Sequence, residues 1–319
     1  MKLFTIPPLG LATLAGISLA SQAFAFVSID YVTVGNAGNA ADTVLPNVNY
    51  DAVPTNTGYG AVGYDYKVGK YEVTNAQYGE FLNAKGASNS YGIYNPGMAS
   101  YVITRSGTSG EFSYSVTEAL ANRPVVYVSW FDAARFANWL TNNQGSGDTE
   151  TGAYTLNGAM SGITFANIGT TVRLPSENEW YKAAYYNGDT SNYSLYPNGQ
   201  NSITIADANY STSVGSSTDA GTYSGDASFY GTFDQGGNVW EWNYAIPSLA
   251  YYQTGRGLRG GAWNGDATAD TWLDSNFRNF TDNYYEYSDI GFRLVTVPEP
   301  TSLVLAMLAG GAMLTRRKR

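Results

Sequence analysis

The stretch Gly236-Gly237-Asn238-Val239-Trp240-Glu241-Trp242 constrains this chain more than any other. Two glycines let the backbone turn sharply or approach a neighbour closely. Two tryptophans bring a large apolar payload, each with one N–H that needs an acceptor. A lone carboxylate between them is costly to bury, so Glu241 needs a cation partner or a metal. Two environments satisfy this. One is a tight turn in which Glu241 pairs with an arginine. The other is an oxygen-rich loop for a hard cation such as calcium, because Asp234 stands seven residues earlier with glycines between. A second dense stretch, Leu258-Arg259-Gly260-Gly261-Ala262-Trp263, follows soon after.

Both ends of the 319-residue chain read as removable. Residues 1–25 carry an early Lys2, an apolar run and Ala23-Phe24-Ala25, the pattern of a secretory signal peptide cut by signal peptidase. At the other end, Val297-Pro298-Glu299-Pro300 precedes an apolar run at 301–315 and the basic cluster Arg316-Arg317-Lys318-Arg319. The cluster should stay on the cytoplasmic side. The run is short of the roughly 20 residues of a stable span. The order of Pro-Glu-Pro, apolar run and basic terminus resembles the PEP-CTERM sorting tails of exported bacterial proteins. That resemblance implies transient inner-membrane anchoring and cutting by an exosortase-type enzyme, leaving the protein at the cell surface or secreted.

What remains, 26–296, reads as one domain, with no repeat and no internal boundary. Of the 17 lysines and arginines, five lie outside residues 26–300, and none of the 26 acidic residues does. Residues 26–300 therefore carry 12 basic and 26 acidic residues, a net charge of −14. Such a surface argues against nucleic acid and anionic membranes and is compatible with cations. With no cysteine, no disulfide braces the domain. With no histidine, His-dependent triads and His-ligated zinc are excluded.

Local patterns predict strands at 26–34 and 62–71, the latter with Tyr64, Tyr66 and Val68 on one face. Thr74 and Gln77 form a capping box for a helix that buries Tyr78, Phe81 and Leu82 and stops at Gly86. Residues 87–110 read as loop, 111–117 as a short strand and 123–128 as a buried strand. That last strand leads into Ser129 and a helix at 130–142. A hairpin is expected around Asn157-Gly158. Ser176 and Glu179 cap a third helix, ending at Asn187-Gly188. No helix is expected beyond it.

These blocks have an order. They are Tyr71-Glu72-Val73-Thr74-Asn75 through Phe81-Leu82; Arg123-Pro124-Val125 through Ser129-Trp130; Arg173-Leu174-Pro175-Ser176-Glu177 through Trp180; Gly237-Asn238-Val239-Trp240-Glu241-Trp242; Arg259-Gly260-Gly261-Ala262-Trp263; and Gly291-Phe292-Arg293. The series resembles the formylglycine-generating enzyme, or sulfatase-modifying factor, family over nearly the whole of 27–295. The resemblance implies a C-type-lectin-like α+β fold, irregular and loop-rich, with few helices and short antiparallel sheets. It also implies structural calcium, held by the side chains of Asp234 and Glu241 and the carbonyls of Gly237 and Val239. A second calcium site would begin at Asn209 and Tyr210, with the segment for its other ligands shortened here.

The family's chemistry does not carry over. Its oxidase uses two cysteines after the Arg-Gly-Gly block to bind copper, and Gly265 and Asp270 stand in those places. Neither replaces a thiolate for Cu(I), and iron-dependent relatives need histidines, so neither copper nor iron is expected. Glu177, Glu179, Asp266, Asp270, Asp274 and Asp282 are the carboxylates left for acid–base work. Glu177 and Glu179 are better read as first-turn helix residues. Arg259 and Arg293 are better read as partners of buried carboxylates.

The stretch 266–289 is either a solvated loop or a recognition surface. Trp272, Asp274, Phe277, Tyr284, Tyr285 and Tyr287 interleave there with polar side chains, as binding surfaces do. The expectation is a catalytically inactive, calcium-braced scaffold for an exopolysaccharide or surface-protein ligand, at the cell surface or in extracellular matrix. The alternative is an oxidoreductase acting on a sulfatase, or another carboxylate-based enzyme.

Overall fold

The computed structural model describes residues 26–43, 58–167, 169, 172–247, 254–265 and 270–297. The expected leader and sorting tail lie outside the described residues. No helix among the described residues is long and apolar enough to cross a membrane.

In chain order the elements are β1 (Tyr31–Val34), β2 (Tyr66–Gly69), α1 (Asn75–Lys85), β3 (Ile103–Ser106), β4 (Ser113–Val116), α2 (Trp130–Thr141), β5 (Val172–Arg173), α3 (Glu177–Tyr185), β6 (Tyr186–Asn187), β7 (Asn192–Tyr193), β8 (Trp240–Trp242), β9 (Gly255–Arg259), α4 (Asp270–Leu273), β10 (Asn279–Asp282), β11 (Ile290–Gly291) and β12 (Val295–Thr296). Two four-stranded sheets run β1-β2-β12-β5 and β10-β9-β8-β11. Their pairings are antiparallel except β11 with β8. The fold is α+β, loop-rich and short in its elements, as the family resemblance implies.

The three long helices start where local chemistry says they should. Thr74 and Gln77 exchange side-chain to backbone bonds at the head of α1, and Gly86 N–H closes its end on the Leu82 carbonyl. Ser176 and Glu179 do the same for α3. Ser129 caps α2 with Asp132 in the third position, so the shorter acid serves as well as a glutamate. The first ten residues of α2 are all buried, which makes it the central helix. Tyr78 and Phe81 of α1 meet Phe136 of α2 and Phe292 with ring centroids 5.3–6.5 Å apart.

The structure departs from expectation at several elements. Residues 103–106, read as loop, form β3 and pair with β4. Three of the four β3 side chains lack full burial, so the strand gives no apolar run. Residues 123–128 form no strand. Pro124 has no N–H for a ladder, and Tyr127 turns the chain with a φ of 60°. Val125 still donates to the Val73 carbonyl at 2.9 Å. Strands β1 and β2 are shorter than expected. Tyr66 and Val68 are buried, but Tyr64 reaches out to Glu179. The single-turn α4 is a helix where none was expected.

Charge is buried in pairs. Glu177 takes Arg259 and Arg278, each at 2.8 Å, and Glu179 takes Arg173 at 2.6 Å. The bracing role expected of Arg259 is the one observed. Burial alone would push both glutamates up, but their arginines hold them below the usual carboxylate range. These first-turn acids thus do more than face a helix dipole.

Candidate functional site

The loop entering β8 turns through left-handed backbone at Asp234, Gly237 and Asn238. At Gly237 a Cβ would stand 2.3 Å from the Asn209 carbonyl oxygen, so only glycine fits. Its N–H donates to the Gly260 carbonyl at 2.7 Å, tying the loop to the Arg-Gly-Gly block. Asn238 is the hub. Its N–H donates to the Asn209 carbonyl, its Oδ1 accepts from Thr218 N–H, and its Nδ2 donates to Glu72 Oε1 at 3.1 Å.

Glu241 has found its cation within the chain. Arg293 Nε donates to Oε2 and Nη2 to Oε1, both at 2.6 Å, and Trp180 Nε1 adds a bond to Oε2 at 2.7 Å. This is the arginine-paired turn, and it leaves Glu241 no room to grip a metal with both oxygens. Arg293 also fills the bracing role expected of it.

Other acids nearby are less well matched. Asp234 is partly exposed and accepts from Gly221 N–H at 2.6 Å. Burial raises its carboxyl to about 6, although Gly221 and Arg293 hold it back. Glu72 is buried, and its Oε2 has no hydrogen-bond donor. Burial, then Asp234, pushes Glu72 well above the carboxylate range. Three carboxyl groups thus share one guanidinium, and Glu241 holds it, so burial disfavours a negative charge on the other two.

This all-oxygen environment, with an orphaned acceptor, fits a hard divalent cation. The fit has a limit. Among the described residues no three Asp, Glu, His or Cys side chains are grouped to hold a metal. A cation at Asp234 would rest mainly on carbonyls such as those of Gly237 and Val239, with at most one oxygen from Glu241. At the second expected site, Asn209 Oδ1 is buried without a donor, whereas the Tyr210 carbonyl closes a turn by accepting from Ser213 N–H.

The positions that would carry thiols are structural. The Gly265 carbonyl accepts from Thr212 Oγ1, and Asp270 opens α4. Asp282 accepts from Thr254 Oγ1 at 2.6 Å. Asp266 lies outside the described residues.

The expected recognition surface divides in two. Trp272 and Phe277 pack on Trp240, with centroids 5.8 and 5.9 Å away, and Phe277 is buried. Asp274 ties a turn by accepting from the N–H groups of Asn276 and Phe277, and burial raises it to about 6. Tyr284, Tyr285 and Tyr287 point outward, 45, 39 and 45% exposed, with successive centroids 4.8 and 5.3 Å apart. Tyr127 N–H donates to the Tyr287 carbonyl, and the exposed Tyr101 packs on the Tyr127 ring. Sequence reasoning missed that extension, because Tyr101 and Tyr287 are far apart along the chain.

Residues 48–297 match the model of the sulfatase-modifying factor enzyme 1-like domain. The chain belongs to the sulfatase-modifying factor enzyme 1-like family. Among family relatives, it is 27% identical over 254 residues to the hercynine oxygenase of Mycobacterium tuberculosis, covering 72% of this chain and 52% of that protein. It is 26% identical over 243 residues to that of Mycolicibacterium smegmatis, covering 67% and 49%. The chain thus spans about half the length of the curated relatives it matches. In fold it is similar to Treponema denticola variable protein 1, with a TM-score of 0.55 at 22% identity, covering 86% of this chain and 98% of that one. CarF gives a TM-score of 0.52 at 22% identity, covering 84% and 98%. The sulfatase-modifying-factor-type frame is therefore present in a chain that contains neither cysteine nor histidine.

Proposed function

We propose that this domain is an exported, non-catalytic binding scaffold that presents its stacked tyrosines to a glycan or protein ligand at the cell surface or in extracellular matrix. The observation that carries the reading is the outward stack of Tyr284, Tyr285 and Tyr287 on a frame braced by buried ion pairs. Rigid aromatics contribute contact area at small conformational cost. Calcium near Asp234 would favour the ionised forms of Asp234 and Glu72, which burial disfavours, and the orphaned Asn209 Oδ1 supports a second oxygen-ligated cation. The signal peptide at 1–25 and the tail at 297–319 would be removed by signal peptidase and an exosortase-type enzyme.

The relatives' name, hercynine oxygenase, describes an oxidation. That reading needs histidine or thiol ligands for a redox metal, and this chain contains neither histidine nor cysteine. The test is a glycan and surface-protein binding screen, comparing the chain with a Tyr284→Ala/Tyr285→Ala/Tyr287→Ala variant. Binding lost in the variant supports the scaffold. No binding, together with oxidation of a cysteine peptide in the presence of copper, overturns it.

A further inference from the structure

Beneath the tyrosine stack lies a cavity of about 350 Å³. Tyr91, Phe131, Met160 and Tyr284 wall it, and Asp132, Arg135 and Glu286 reach it from α2 and the tyrosine segment. That size suits a small ligand.

The two carboxylates are half used. Asp132 takes all its side-chain hydrogen bonds on Oδ2, from Ser129 N–H at 2.9 Å and Ser129 Oγ at 2.6 Å. Glu286 takes its bond on Oε2, from Asn95 Nδ2. Each has a second oxygen without a hydrogen bond among the described residues. Burial, then Asp132, pushes the Glu286 carboxyl up to about 7, and burial brings Asp132 to about 6. The pair repel and have no cation of their own.

Arg135 offsets Asp132 only in part, because it is paired with Glu150. Its Nε meets Glu150 Oε1 at 2.8 Å, and its Nη2 meets Oε2 at 3.2 Å and the Ala159 carbonyl at 2.8 Å. The guanidinium lies 4.5 Å from the Tyr91 ring centroid, which fixes its plane. The side chain is fully buried, yet Nη1 has no acceptor. Nη1 has no accessible surface, so Arg135 helps to form the wall of the cavity and offers no hydrogen bond to an occupant.

The cavity therefore asks one occupant for a cation and an apolar face. We propose that it binds an ammonium-bearing sugar unit the size of one hexosamine, with Asp132 and Glu286 holding the ammonium and Tyr91 and Tyr284 the ring face. This rests on the binding-scaffold reading and names its ligand chemistry. Lysine brings the ammonium but no ring face for the tyrosines.

Isothermal titration of the full chain at pH 7 with glucosamine, N-acetylglucosamine, glucose and lysine tests it. Glucosamine is expected to bind about tenfold tighter than the two neutral sugars and than lysine. Glu286→Gln should remove most of that preference at an unchanged melting temperature. The ranking of sugars on the unaltered chain needs no variant. Equal binding of acetylated and free amino sugar, or tighter binding of lysine, overturns the inference. Glycan binding that depends on Tyr285 but ignores the ammonium sinks this inference and leaves the scaffold standing. Absence of both sinks both.

Discussion

Arg293 joins the last sequence block to the Trp-Glu-Trp block: its guanidinium holds both oxygens of Glu241 at 2.6 Å, with neither side chain exposed. It also donates to the carbonyls of Gly69 and Phe233, so one side chain ties the end of β2, the loop before β8 and β8 itself. Arg293→Met would leave the buried Glu241 and Glu72 and the partly exposed Asp234 without their guanidinium. A loss of about 3–5 kcal/mol is expected in urea unfolding. In Arg293→Met/Glu241→Met the loss should be smaller than the sum of the single changes.

The acids around Asp234 set a pH dependence of opposite sign to an ordinary ion pair. The folded-state pKa of Asp234, about 6, lies above its usual 3.8. Its stabilising contribution is full below pH 3.8 and is lost as pH rises through about 6. Glu72 acts in the same direction. Melting in chelator should thus fall between pH 4 and 6. Calcium should restore it most at the upper end, because a bound cation favours the ionised form. Asp234→Asn should flatten the slope and abolish the calcium response. A calcium-independent melt in the unaltered chain would show that Arg293 alone neutralises the loop.

The two halves of the aromatic segment should respond oppositely to truncation. Tyr285→Ala changes an exposed ring and should alter stability by no more than about 0.5 kcal/mol while weakening ligand binding. Phe277→Ala empties a buried position against Trp240 and should cost about 3 kcal/mol. Unfolding and binding measured on the same two variants separate the roles.

Two buried arginines in β9 should also differ. Arg259 has Glu177, whereas Arg256 has no carboxylate partner among the described residues, and its Nε and Nη1 lack acceptors. It stacks 4.5 Å from the Trp130 ring centroid, and burial pulls its pKa down to about 10. Arg256→Met should leave stability unchanged or raise it by about 1–2 kcal/mol, whereas Arg259→Met should lower it by about 3–5 kcal/mol. Denaturant midpoints decide.

What the sequence made legible was local. The capping boxes of Thr74 with Gln77 and Ser176 with Glu179 span three residues, and both helices start there. That Glu241 needed a cation was also readable, since it stands between two tryptophans. Which cation was not: Arg293 is 52 residues away, and only the fold brings it close. Trp272 and Tyr285 look alike in composition and spacing. Their different fates depend on Trp240, which packs against one and not the other. The cavity at Glu286 was invisible for the same reason, because its partner Asn95 lies 191 residues earlier.

Strand β12 carries one more consequence. It holds only Val295 and Thr296, yet it sits inside its sheet, bonded to β2 on one side and β5 on the other. The first sheet therefore cannot close until the ribosome has passed the last strand. β1 can pair with β2 before then, but among the described residues β2 and β5 have no other strand to join them. Such long-range closure is slow, and a chain cut short before residue 295 would lack the centre of its sheet rather than its edge. The fold thereby measures its own length before it commits to a shape.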